Sequence, residues 1–322
     1  MNARVRAPGL DDIRDAARRI ADFAVRTPLI RLEVPGDDRR IFLKLENLQP
    51  IGAFKLRGAA NAMLSAHRTA ITRGVYTGSA GNMALGVAFC ANALGVPCTV
   101  VVPDRAPQIK IDALERRGAR VIKVPFDAWW QTMIDHQHDG IDAFFVHPFE
   151  DEHVIAGNGT IGLEIVDTLG DIDAVVAPWG GGGSCCGIAA AFRALSPATR
   201  IYPCEVATAA PLTASFAQNG PTTIVPQPNF VDGMSGKSVF PSMWTLAQEL
   251  RVERPLVLSV PRIAESVKML AERAKIVAEG AGAATVAAAI DQLPDAGTIV
   301  CIVSGGNIDP ARLATILSGG VP

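Results

Sequence analysis

The 322-residue chain sets 30 Lys and Arg against 32 Asp and Glu, a formal net charge of -2, with 49% hydrophobic and 19% charged residues. That composition excludes a disordered chain, and the lack of any block of like charge offers no grip for nucleic acid or an anionic membrane surface. No apolar run reaches the roughly 20 residues that a membrane span needs, so a small ligand and a cytoplasmic location are expected.

The first segment, MNARVRAPGLDDIRDAARRIADF, alternates charge with apolar residues and lacks the apolar core of a signal peptide. It predicts an amphipathic surface helix capped near Asp11. Strands are then expected at residues 41–46, 75–78, 98–103, 120–124, 173–178, 200–206, 256–260 and 298–304. Between them run segments of helical spacing such as NMALGVAFCANAL and PQIKIDALERRG. Continuous apolar strands alternating with helices predict parallel sheets covered on both faces, an α/β architecture. The βαβ series within residues 73–147 predicts a small domain of its own, with 1–72 and 148–322 forming a larger, discontinuous one. The six cysteines include no CxxC pair and sit mostly in apolar stretches, as buried free thiols do.

Glycines gather where strands give way to helices, and ligands of open α/β sheets bind at such carboxyl ends. The first such loop, GAFKLRGA, places Lys55 between Phe54 and Leu56 at the expected start of a helix. A desolvated lysine beside a helix amino terminus has a lowered pKa, which suits a Schiff-base nucleophile; the plainer alternative is a surface lysine with a buried stem. The second, GGGGS, sets Gly180, Gly181, Gly182 and Gly183 between an apolar strand and a helix. Four residues without side chains let backbone N–H groups converge on a phosphate at a helix start, although a tight turn is the alternative. The run lacks the Lys-Ser/Thr ending of a nucleotide P-loop, and no GxGxxG spacing suits NAD. The loops GSAGN and SGGN each follow an apolar strand and add small hydroxyl, amide and backbone donors.

Together these stretches resemble the fold-type II pyridoxal-phosphate enzymes, most closely the threonine/serine dehydratases. The resemblance rests on LKLENLQPIGAFKLRGA, TGSAGNMALGVAF, HPFEDEHVIAGNGTIGLEI, PWGGGGSCCGIAAAF, AEGAGAA and SGGN, in family order over nearly the whole chain. It implies a tryptophan synthase β-like fold with two parallel-rich open sheets and helices on both faces. It further implies that Lys55 carries pyridoxal 5'-phosphate as a Schiff base, with Phe54 packed beside it. Asn82 would bond the cofactor's 3-oxygen, Gly180 to Gly183 would wrap the phosphate, and Ser304 would meet the pyridine nitrogen. Glu279 matches an acid near the ring, while Ser79, Ala80, Gly81 and Asn82 form the loop that grips the substrate carboxylate. The implied reaction removes the β-hydroxyl of threonine or serine and yields a 2-oxo acid and ammonia, in a homo-oligomer such as a dimer.

Some positions depart from the family pattern. Met83 stands where histidine is usual, Trp179 where a small aliphatic residue is usual, and Ala53 where serine or threonine is common. Lys237 is added in VDGMSGKSVF. Met83, Trp179 and Lys237 are therefore candidates for a reshaped substrate side-chain pocket, although Met83 and Trp179 can equally be packing residues. Ala80 replaces the second acid/base of serine racemases, which favours elimination over racemisation. Glu205 and Ala209 match a metal site of some relatives, but Pro211 replaces its second acid, so no metal is expected. The chain ends soon after SGGN, so no regulatory domain and no isoleucine feedback are expected. The alternatives are a dehydratase for a bulkier substrate (hydroxyaspartate, phenylserine or a hydroxyectoine derivative), a β-replacement synthase, and a catalytically silent ligand-binding member of the fold.

Overall fold

The computed structural model describes residues 5–322. Ten strands appear in chain order: β1 Leu29–Leu32, β2 Arg40–Lys44, β3 Val75–Gly78, β4 Cys98–Pro103, β5 Arg120–Val124, β6 Phe144–Phe145, β7 Ala174–Pro178, β8 Arg200–Val206, β9 Leu256–Leu258 and β10 Thr298–Ile302. They form a six-stranded sheet, β1-β2-β10-β7-β8-β9, and a four-stranded sheet, β5-β4-β3-β6. The smaller sheet is wholly parallel, and in the larger one only β1 runs antiparallel, against β2.

Apolar content explains the placement. Strands β7 and β10 are buried at every position, as strands with helices on both faces must be. One core fills the space between the large sheet and the helices Val260–Met269 and Gly280–Gln292. A second lies on the opposite face against the helices Glu152–Val166 and Gly183–Leu195, and a third unites the small sheet with the helices Lys55–Ser65 and Asn82–Leu94. All six cysteines are free and buried within this framework.

The amino-terminal helix spans Leu10–Arg19 and buries Ile13 and Ala16. Its cap is Gly9, not Asp11: the Asp12 carboxylate accepts the Gly9 N–H at 2.8 Å from the third helical position, leaving Asp11 in the first turn. Strand β9 stops short of the expected residue 260 because Ser259 turns to cap the next helix, accepting the Arg262 N–H at 3.3 Å.

Strands β2, β3, β7 and β10 end on the same side, so the loops that follow them meet. Two of these loops are stitched together by backbone bonds. The Phe54 N–H donates to the Ser304 carbonyl and the Gly306 N–H to the Gly52 carbonyl, both at 2.9 Å.

Candidate active site

Lys55 is the first residue of the helix Lys55–Ser65, and its position is enforced from two residues away. Arg57, almost fully buried, forks onto Glu46 with Nε to Oε2 at 2.8 Å and Nη2 to Oε1 at 2.9 Å. It also reaches Glu164, with Nη1 to Oε1 at 2.7 Å, and Lys44 completes the cluster by pairing with Glu164. Burial pushes the Glu46 carboxyl up, yet Arg57 and Lys44 outweigh burial and hold it below its ordinary value. Such a paired, hydrogen-bonded cluster fixes the helix start relative to β2 and the helix Glu152–Val166.

The half-buried Lys55 side chain projects from that fixed point. Its Nζ donates to the Pro148 carbonyl at 2.6 Å and lies 5.2 Å from the centre of the Phe54 ring. Burial lowers its pKa to about 8, against the opposing pull of Glu279. A lysine so placed is a far better nucleophile and base at neutral pH than a solvated one.

The glycine run opens the helix Gly183–Leu195, with Gly182 as a cap that supplies no side chain. No backbone N–H from Gly180 to Cys185 has an acceptor among the described residues. A Cβ on Gly181 would lie 2.2 Å from the Phe149 ring, and Gly182 adopts a φ of +89°, so side chains are excluded from the cradle. Unsatisfied donors at a helix start, bare of side chains, make an anion site.

The loop after β3 makes a second receptor. The Ser79 hydroxyl accepts the Gly81 N–H at 3.1 Å, and Gly81 caps the helix Asn82–Leu94 without a side chain. The N–H groups of Asn82, Met83 and Ala84 find no acceptor among the described residues. The Asn82 amide donates to both Glu279 oxygens at 2.9 and 3.1 Å, and its carbonyl accepts from Asn307 at 2.8 Å. Burial pushes the Glu279 carboxyl up, with the Asn82 bonds and Lys110 opposing it. Ser304 is 1% exposed, and its hydroxyl has no hydrogen-bond partner among the described residues.

The structure thus brings Lys55, Asn82, Glu279 and Ser304 together between the two receptor loops. The three pocket candidates have apolar or aromatic surroundings. Met83 is buried in the core behind the small sheet, among Leu56, Ala84 and Val87. Trp179 is buried beneath the glycine run, its ring 2.6 Å from where a Gly182 Cβ would stand, and its Nε1–H finds no acceptor among the described residues. Lys237 places its ammonium 4.8 Å from the Phe126 ring centre and 4.4 Å from that of Trp130, with no carboxylate partner among the described residues. Glu205 uses its carboxylate on the helix Pro211–Gln218, accepting from Leu212 N, Thr213 N and Thr213 Oγ1. A groove of about 670 Å³ beside Arg73, Tyr76 and Asp142 shares no lining residue with the receptor loops.

These features agree with the chain's relatives. The family model described as "Pyridoxal-phosphate dependent enzyme" matches residues 20–305. The chain belongs to this family. The L-threonine ammonia-lyase of Thermotoga maritima is 38% identical over 319 residues, covering 97% of this chain and 79% of that protein. The enzyme of the same name from Geobacter sulfurreducens is 39% identical over 321 residues, covering 96% and 78%. Among solved structures, maize serine racemase superposes with a TM-score of 0.86 at 30% identity, covering 97% of this chain and 98% of that one. The processed form of threonine deaminase isoform 2 from Solanum lycopersicum does so with 0.84 at 31%, covering 96% and 93%.

Pyridoxal phosphate is the cofactor of this enzyme, and the residues present fit it. The cradle from Gly180 to Gly183 has free donors for a phosphate, Lys55 offers a low-pKa amine, and the Ser304 hydroxyl is unpaired. Several partners of these groups escape a reading of the sequence. Pro148 contributes only a backbone carbonyl, and Asn307 reaches Asn82 across 225 positions. Lys110 bridges to Asp232 at 2.6 Å, tying the helix Gln108–Glu115 to the turn Asp232–Met234. A signal for the Arg57 cluster does exist: Lys44, Glu46 and Arg57 are charges set within otherwise apolar segments.

Proposed function

We propose that this pyridoxal-phosphate enzyme is an ammonia-lyase that removes the β-hydroxyl and amino group of threonine or serine, releasing a 2-oxo acid and ammonia. The observation that carries the proposal is the Lys55 amine, held 2.6 Å from the Pro148 carbonyl with a pKa lowered to about 8, amid two sets of unsatisfied backbone donors. The names of the Thermotoga and Geobacter relatives support the same reaction.

Bound pyridoxal phosphate supplies the electron sink for charge developing at the substrate Cα. The protein supplies the rest. Gly180 to Gly183 would hold the phosphate through their backbone N–H groups, and Phe54 packs beside Lys55. Ser304 would offer the ring nitrogen a neutral hydroxyl, not a carboxylate that could hold it protonated, which would favour elimination of the β-hydroxyl. Asn82, braced by Glu279 and Asn307, would hold the 3-oxygen. The loop of Ser79, Ala80, Gly81 and Asn82, with the free N–H groups opening its helix, receives the substrate carboxylate. The free Lys55 amine would take the Cα proton as general base. Ala80 offers no acid/base to the opposite face, so the proton is not returned there. The proposal includes a cytoplasmic homodimer, whose mass light scattering measures.

A second reading, a dehydratase for a larger β-hydroxy amino acid, is favoured by Lys237, whose ammonium has aromatic but no anionic partners among the described residues. A panel of β-hydroxy amino acids assayed for ammonia and 2-oxo acid separates the two. Preference for threonine and serine supports the first; preference for hydroxyaspartate or phenylserine supports the second. Turnover of none of them defeats both.

A further inference from the structure

The turn that follows β6 holds a histidine whose role none of the chemistry above requires. His147 is 1% exposed, and both ring nitrogens are committed. Its Nδ1 accepts the N–H of Glu150 at 2.7 Å and of Phe149 at 3.3 Å, while Nε2 faces the Met133 carbonyl at 3.2 Å. Two donors on Nδ1 require a lone pair there, so the proton sits on Nε2 and the ring is neutral. Burial, with His136 adding to it, lowers the pKa of the ring in keeping with that state.

One consequence is negative. His136, His147 and Glu150 bring their ligand atoms within 4.8 Å of one another, a spacing that fits a cation. The His147 Nδ1 lone pair is engaged by the Phe149 and Glu150 N–H groups, and Glu150 accepts from His136 at 2.8 Å and from the Ser242 hydroxyl. The cluster is a brace, not a metal centre.

The other consequence concerns Lys55. By taking the N–H groups of residues 149 and 150, the His147 ring closes a turn of the kind that asparagine side chains make. Pro148 lies inside that turn and its carbonyl accepts from Lys55 Nζ at 2.6 Å. The turn is backed by His136, stacked on His147 with centroids 4.4 Å apart.

We propose that His147 is a positioning residue for Lys55: by closing this turn it presents the Pro148 carbonyl as the rest for the lysine amine whenever that amine is not on the cofactor. The proposal depends on Lys55 being the cofactor lysine. Lys55 has a long flexible side chain that must be released and recaptured in each cycle, and a fixed carbonyl holds its amine near the reacting carbon. A carbonyl accepts from an amine or an ammonium, so the rest serves both protonation states.

Two substitutions with opposite expectations test this. Asparagine at 147 keeps an acceptor at the reach of Nδ1 but loses the ring, while phenylalanine keeps the ring and loses the acceptor. The readouts are the rate at which cofactor-free protein captures pyridoxal phosphate, followed by visible absorbance, and kcat against KM. His147→Asn should stay within about threefold of wild type in both rates, and His147→Phe should lose about tenfold or more in capture and kcat with KM little changed. The reverse order, equal losses, or no loss in either variant overturns the proposal. Should His147→Phe not fold, nitrogen NMR of the wild-type enzyme still decides. A neutral ring protonated on Nε2 through the range where an ordinary histidine titrates is required, and titration near the ordinary value of about 6.5 contradicts it. If instead Lys55→Ala keeps the visible band, the underlying assignment of Lys55 fails, which is a separate result.

Discussion

Replacing Arg57 with methionine removes the cation that joins the buried Glu46 carboxylate to the part-buried one of Glu164. The guanidinium makes two bonds to Glu46, at 2.8 and 2.9 Å, and two to Glu164, at 2.7 and 2.9 Å. Glu46 is 0% exposed and would keep Thr27 at 2.6 Å, Gln49 at 3.2 Å and the more distant Lys44 at 3.9 Å. Breaking a buried ion pair from one side leaves an uncompensated charge and costs about 3–5 kcal/mol. With an unfolding entropy of about 2.1 cal/mol/K per residue, that is a fall in Tm of about 4–7 °C for a chain of 322 residues. Calorimetry and urea unfolding measure it, and the double variant Arg57→Met, Glu46→Met should recover part of the loss, since the orphaned carboxylate is then gone. A single-variant cost below about 1 kcal/mol would refute the reasoning, because it would mean that Glu46 never depended on Arg57.

Three further outcomes follow from the site. Gly181→Ala drives a Cβ to within 2.2 Å of the Phe149 ring, so cofactor affinity in a titration of cofactor-free protein should fall by about tenfold or more; unchanged affinity argues against the cradle. The free amine is the nucleophile, so capture of pyridoxal phosphate should speed up as pH rises and level off above about 8, where Lys55 is deprotonated. A rate still climbing through about pH 10, the range of an ordinary lysine, contradicts the burial effect. Under the second substrate reading, Lys237→Met lowers kcat/KM for hydroxyaspartate about tenfold and leaves threonine unchanged, whereas equal effects on both remove Lys237 from the pocket.

The fold is legible in the sequence where burial imposes a pattern. All eight expected runs become strands, and those covered on both faces, such as β7 and β10, tolerate little but apolar residues. Strand β1 is hidden since LIRL is a half-exposed antiparallel edge, and β6 because two residues carry no periodicity. The loops of the site are legible as glycine-rich strand ends and by resemblance. What stays hidden depends on contacts between distant residues: Arg57 with Glu164 across 107 positions, Lys110 with Asp232 across 122, and a proline carbonyl that carries no side-chain signature. Met83 and Trp179 stand out in the sequence as unusual residues, yet both lie in apolar cores, where size decides their choice.

The central claim is that Lys55 carries pyridoxal phosphate and acts on a β-hydroxy amino acid. The most direct measurement compares wild type with Lys55→Ala, recording the visible absorbance of the purified protein with added cofactor and the release of 2-oxo acid from threonine and serine. The account predicts a visible band and keto-acid formation in the wild type, and loss of both in the variant. A wild type that shows no band with excess cofactor, or a variant that keeps both signals, contradicts it.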